Sequence, residues 1–67
     1  MCLSDVYVLE NGAKRLLYKN VASVKQKEDT LVFSDILGIP KEVKGTIASV
    51  DLLDNIIIIN EKNEEEL

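Results

Sequence analysis

Gly45-Thr46-Ile47-Ala48-Ser49-Val50-Asp51-Leu52-Leu53-Asp54-Asn55-Ile56-Ile57-Ile58-Ile59-Asn60 is the stretch whose reading decides the fold. β-Branched residues run up to Asp54-Asn55, a turn pair, and four isoleucines run away from it, which predicts a long β-hairpin. Successive strand side chains point to opposite faces, so four consecutive isoleucines do not suit a strand with one wet face. One face of Ile56, Ile57, Ile58 and Ile59 can fill the core of a small sheet. The other needs a second apolar surface, and a second copy of the chain is the simplest source. These four residues are therefore the expected homodimer interface. Ile47 and Val50 fall on opposite faces by parity, so a bulge or bend is expected between Gly45 and Ser49.

Working outward, Leu3 to Glu10 alternates, with Val6 and Val8 on one face and Asp5 and Tyr7 on the other, the pattern of a half-buried strand. Asn11-Gly12 is a strong hairpin signal because both turn positions favour φ > 0. Arg15 to Lys19 returns as strand two, and Val21 to Lys27 follows as strand three. After a turn at Glu28-Asp29, Thr30 to Ile36 is strand four, with Leu31 and Phe33 facing inward. Leu37-Gly38-Ile39-Pro40-Lys41 interrupts the pattern, since Pro40 lacks the N–H that a central strand uses. No segment sustains a 3.6-residue period. Six short strands with turns every eight to twelve residues predict an all-β fold, a small antiparallel β-barrel of SH3-like or OB-like size. The expected organisation is one domain over 1–62 and a disordered acidic tail over 63–67.

The 67 residues hold one core, and a chain this short is marginal without a metal or a subunit interface to help. Cys2 is the only cysteine, so no disulfide forms within the chain. The first ten residues carry Asp5 and Glu10, with no basic start and no apolar run, so neither a secretory signal nor a membrane span is expected. A lone thiol without an export signal points to the cytoplasm. The net charge of −4 is unevenly spread. Lys14, Arg15, Lys19, Lys25 and Lys27 crowd residues 11–27, which contain no acid. The last stretch, from Asp51 on, is acidic. Charge runs of this kind usually serve solubility, and they can also mark a partner surface.

The chain has no histidine, which removes the usual general base and the commonest metal ligand. No phosphate-cradling glycine motif occurs among its three glycines. Asp51 and Asp54 are the nearest thing to paired carboxylates, and they flank a turn, where Asp serves local hydrogen bonding. No enzyme is expected. The exception to this chemical silence is Met1-Cys2. A thiolate beside the α-amine and a backbone amide forms chelate rings of nitrogen and sulfur donors. Planar N/S sets favour Ni(II) or Cu(II), whereas Zn(II) prefers tetrahedral sites. One chain offers few donors; two chains brought together offer two nitrogens and two sulfurs. The competing reading of Cys2 is a small hydrophobe at a chain end.

Taken together, Met1-Cys2, Val6-Tyr7, Asn11-Gly12, Asp35-Ile36-Leu37-Gly38, Val43-Lys44-Gly45 and Val50-Asp51-Leu52-Leu53 resemble the CooT-type nickel-binding family, in order and over nearly the whole chain. The resemblance implies a small β-rich homodimer that binds Ni(II) through Cys2. It also implies a metallochaperone-like accessory role toward nickel carbon monoxide dehydrogenase or its maturation factors. The chain departs from the family pattern at Asn55 and Ile56, where many relatives carry a histidine and a lysine. The wider group has also been labelled a predicted RNA-binding protein. The alternative reading is accordingly a nucleic-acid module, with Lys14, Arg15 and Lys19 on phosphates and Tyr18 stacking on a base. The metal reading puts Cys2 as thiolate ligand and the Met1 amine as second donor.

Overall fold

The computed structural model describes residues 3–62 and contains six strands. They are β1 Ser4–Glu10, β2 Ala13–Val21, β3 Ser23–Lys27, β4 Thr30–Ser34, β5 Pro40–Asp51 and β6 Ile56–Glu61. Met1, Cys2 and the expected tail at 63–67 lie outside the described residues. Asn11 and Gly12 join β1 to β2 with φ of 49° and 80°, the paired positive values that their residue types favour. Val6 and Val8, opposite neighbours in the alternation of β1, are fully buried, as are Leu31 and Phe33 of β4.

The strand order is β2-β1-β6-β5-β4-β3. Two features correct the sequence reading. First, β1 and β6 pair in parallel, Val6 beside Ile57 and Val8 beside Ile59, so the sheet is not antiparallel throughout. Second, the sheet does not close into a barrel: β2 and β3 stand at its two ends without a ladder between them. A single residue, Ala22, separates them, too few to reverse the chain into a hairpin. The chain instead turns a corner there, and the amide of Ala22 donates to the Ser34 carbonyl at 2.7 Å.

β5 is longer than expected and works in two halves. Pro40–Lys44 pairs with β4, while Gly45–Asp51 pairs with β6. Pro40 is tolerated because it is the first residue of the strand. The bend falls at Gly45, which is buried and where a Cβ would collide with the backbone carbonyl of Asn60. Further on, the register slips by one residue between Ile47 and Ser49. That bulge sets Ile47 opposite Ile59 and Val50 opposite Ile57, and both Ile47 and Val50 remain exposed.

The core is Val6, Val8, Val21, Leu31, Phe33, Ile57 and Ile59, with Leu17, Tyr18, Val24 and Val43 packed against it. The isoleucine run therefore divides by parity. Ile57 and Ile59 are internal, so they do not form a surface for a partner. Ile56 and Ile58 face outward and are half-buried beside Asp5 and Tyr7.

Candidate functional site

The two ends of the sheet are finished differently. At the end of β1 and β6, Arg15 makes a forked ion pair with Glu10 at 3.0 and 3.1 Å and lies 3.9 Å from Glu61. Arg15 holds the Glu10 carboxyl below its usual range, first by hydrogen bonding and then by its charge. Lys62 and Asp29 add a second ion pair beside Gly45, whose amide donates to the Asp29 carbonyl. This rim is charged and self-satisfied.

The other rim is where the described chain begins. Ser4 pairs with Val21, and the Asp5 amide donates to the Asn55 carbonyl at 3.0 Å. The start of β1 is thus pinned between the end of β2 and the β5–β6 turn. Through Val21, Ala22 and Ser34 it is also next to the β4–β5 loop.

Those two connections are built alike. In the loop, Asp35 Oδ1 accepts from the amides of Leu37 at 2.9 Å and Ile39 at 3.2 Å. Gly38, at φ 81°, closes the loop onto the Asp35 carbonyl. In the turn, Asp51 Oδ1 accepts from the amides of Leu53 and Asp54, both at 3.0 Å. Each aspartate folds its own loop and leaves two aliphatic residues outside. Ile36 and Leu37 are 68% and 77% exposed, Leu52 and Leu53 82% and 90%. The Ile39 amide chiefly, with that of Leu37 and the charge of Lys41, holds the Asp35 carboxyl below its usual range. The expected Asp54-Asn55 pair is in fact the end of a four-residue turn, 52–55, because the Asp51 side chain ends the strand. Asp51 and Asp54 are a turn device rather than an acid–base pair.

Between the end of β2 and the β4–β5 loop lies a pocket of about 230 Å³. Tyr18, Val21 and Phe33 form its apolar part. The Tyr18 and Phe33 rings are 5.7 Å apart at 55°, and Lys41 Nζ lies 5.7 Å from the centre of the Tyr18 ring.

Of the residues assigned to nucleic acid, Arg15 is engaged with Glu10 at the far rim, and Lys19 lies 3.7 Å from Asp5 at the near one. Tyr18 packs against the core, and Lys14 pairs in register with Leu9 on the outer face. The four are not brought to one surface. The assigned metal residues, Met1 and Cys2, lie outside the described residues. Among the described residues no group of three or more His, Cys, Asp or Glu could hold a metal ion. No helix of the structure is long and apolar enough to cross a membrane.

Such a molecule belongs to the class of small all-β domains built on one open six-stranded sheet. The chain belongs to the CooT family, the CO dehydrogenase accessory proteins, whose family pattern matches residues 1–60. It is accordingly an accessory protein of CO dehydrogenase and not itself a catalyst. The fold is similar to a crystal structure described as a candidate CooT from Carboxydothermus hydrogenoformans, with a TM-score of 0.81. The two chains are 21% identical, and the match covers 92% of this chain and 100% of that one. No curated protein matches the chain.

Three of the segments that carry the family resemblance, Val6-Tyr7, Asp35-Ile36-Leu37-Gly38 and Val50-Asp51-Leu52-Leu53, lie in or run from the rim where the described chain begins. The pocket and the exposed loop residues escape sequence reasoning. The visible signal is a repeated pattern, aspartate followed by two aliphatic residues, at Asp35 and at Asp51.

Proposed function

We propose that the protein is a cytoplasmic nickel-carrying accessory protein that holds Ni(II) through Cys2 and passes it to a nickel enzyme or its maturation factors. Family membership supports the recipient class. The observation that carries the metal reading is the pinned start of β1. Cys2 is two residues from Ser4, so backbone length alone keeps it within about 7 Å of that fixed point. With no histidine in the chain and no ligand cluster among the described residues, Cys2 is the one thiolate donor available. The amine of Met1 closes a chelate with it, and a homodimer with the two starts side by side supplies four N/S donors per metal. Nickel is cargo in this reading, so the site must release as well as bind.

Titration of the reduced protein with Ni(II), followed by absorption, tests the proposal. One metal per two chains with a planar N/S spectrum is the expected result. Affinity should fall as pH falls, because thiolate and amine must both lose protons to bind. Cys2→Ser should abolish tight binding, and acetylation of the N-terminus should weaken it. Unchanged affinity in Cys2→Ser would overturn the reading.

A further inference from the structure

The first half of β5 has an open edge with one rung already laid on it. Residues 40–44 pair with β4 along one side only. Gly45 turns its amide to that same side, onto the Asp29 carbonyl at 2.9 Å. Backbone groups alternate in direction along a strand, so Lys44, Glu42 and Pro40 turn theirs the other way. There the Lys44 carbonyl accepts from the Lys62 amide at 2.7 Å. Among the described residues, nothing pairs on that side with the Glu42 amide and carbonyl or with the Pro40 carbonyl. A strand edge left in this state is a template for another strand.

The rung from Lys62 to Lys44 carries the β5–β6 register one step past its last pair, Gly45 with Glu61. Asn63-Glu64-Glu65-Glu66-Leu67 then ends the chain. Extended, these residues span about 17 Å, the length of β5 and its approach from Val43 back to Ile39. In the same register Asn63 falls opposite Val43, Glu64 opposite Glu42, Glu65 opposite Lys41, Glu66 opposite Pro40 and Leu67 opposite Ile39. The match is chemical at two alternate positions on one face. Lys41 is an exposed cation, its Nζ 5.7 Å from the centre of the Tyr18 ring and its charge felt by Asp35, and it would receive Glu65. Ile39 is 50% exposed and would receive the one aliphatic residue of the segment. On the other face Glu64 meets a like charge in Glu42, with Lys44 as its diagonal neighbour. Residues 40–44 hold two lysines against one glutamate, while 63–67 hold three glutamates and no base.

We infer that the occupant of this edge is the 63–67 segment of the same chain, continuing β6 antiparallel to β5. Glu64 then exchanges backbone hydrogen bonds with Glu42, Glu65 lies beside Lys41, and Leu67 covers Ile39. The acidic segment is in this account a self-supplied edge strand. It keeps the open half of β5 from pairing with another chain, and its charges hold it to its own lysines. The inference is independent of the nickel proposal, and its test contains no metal.

The test is amide hydrogen exchange, followed by NMR, on the reduced, nickel-free protein. The Glu42 amide should exchange about 5-fold or more slowly in the full chain than in a chain ending at Lys62, the factor one net hydrogen bond supplies. The Val43 amide turns toward β4 and should exchange equally in both, which shows that the fold is intact. Glu65→Lys should speed the Glu42 amide, and Glu65→Lys combined with Lys41→Glu should slow it again, a rescue that damage to the fold would not produce. Should the shortened chain also lose protection at Val43, this charge exchange decides alone. Added salt should speed the Glu42 amide in the full chain and not in the shortened one. Equal Glu42 exchange with and without 63–67 overturns the inference, as does a charge exchange without recovery. Protection that survives the shortening and rises with protein concentration overturns it too, and assigns the edge to a second copy.

Discussion

Leu52-Leu53 and Ile57-Ile59 are four residues apart, equally apolar, and meet opposite fates. Ile57 and Ile59 are 7% and 0% exposed, while Leu52 and Leu53 are 82% and 90% exposed. Composition does not separate them; hydrogen bonding does. β6 is covered because β1 and β5 both pair with it, which turns alternate isoleucines into the core. The turn is uncovered because Asp51 takes two of its amides and stops the ladder before the leucines can enter it. Hydrophobic character says that a residue gains from burial. Backbone pairing decides whether its own chain can provide it, and what is left over is available to a partner.

The sharpest break of this comparison is Ile59→Ala. Removing a side chain that is wholly enclosed should cost about 2–5 kcal/mol, through lost burial and a residual cavity. In a domain of this size that is a large part of the total, so the variant should unfold at markedly lower urea. Leu53→Ala should leave the urea midpoint of the monomer almost unchanged. If both lose similar stability, the leucine is packed within its own chain and the contrast is wrong.

The next effect is at the bend that allows β5 to serve both ladders. Gly45→Ala puts a methyl group against the Asn60 carbonyl. The expected cost is about 1–3 kcal/mol, the usual range for overpacking. Thermal unfolding measures it, and an unchanged midpoint would show that β5 and β6 can separate at no cost. Gly12→Ala meets no neighbouring atom and should cost less, through its positive φ alone.

Smaller still is a pH effect that distinguishes the two rims. Asp35 and Glu10 both have carboxyl groups held below their usual ranges when folded. A lowered folded-state pKa gives stability that is present above the unfolded value and lost as pH falls through the folded one. The loss therefore belongs to the acid side of the ordinary carboxylate range. Added salt should reduce the Glu10 contribution, since an exposed ion pair is screened. The Asp35 contribution, dominated by backbone amides, should persist. Asp35→Asn and Glu10→Gln unfolding curves between neutral and acid pH separate the two, and equal salt sensitivity would contradict the assignment.

How much of this is visible in the sequence depends on how local the cause is. The Asn11-Gly12 turn, the alternation of Val6 and Val8 and the inward Leu31 and Phe33 follow from neighbours along the chain. The bulge between Ile47 and Ser49 is legible too, from two apolar residues of opposite parity in one strand, although both stay exposed. The parallel β1–β6 pair is not, since nothing in Val6 or Ile57 records that the strands run the same way. Nor is the start of β5 at Pro40, where proline reads as an interruption until the strand end is known. At the candidate site, Cys2 stands out by its chemistry alone, as the single thiol of a chain without histidine. The pocket of Tyr18, Val21 and Phe33 is invisible, because it is assembled from β2 and β4 and opens only where Ala22 turns the corner.

The central claim is that two chains pool their starts to hold one nickel ion. Mass measurement of the intact complex under native conditions, after adding Ni(II) to the reduced protein and removing the excess, tests it most directly. The account predicts a species of two chains and one nickel, absent in Cys2→Ser. A species of one chain and one nickel, or of two chains and two, would contradict it.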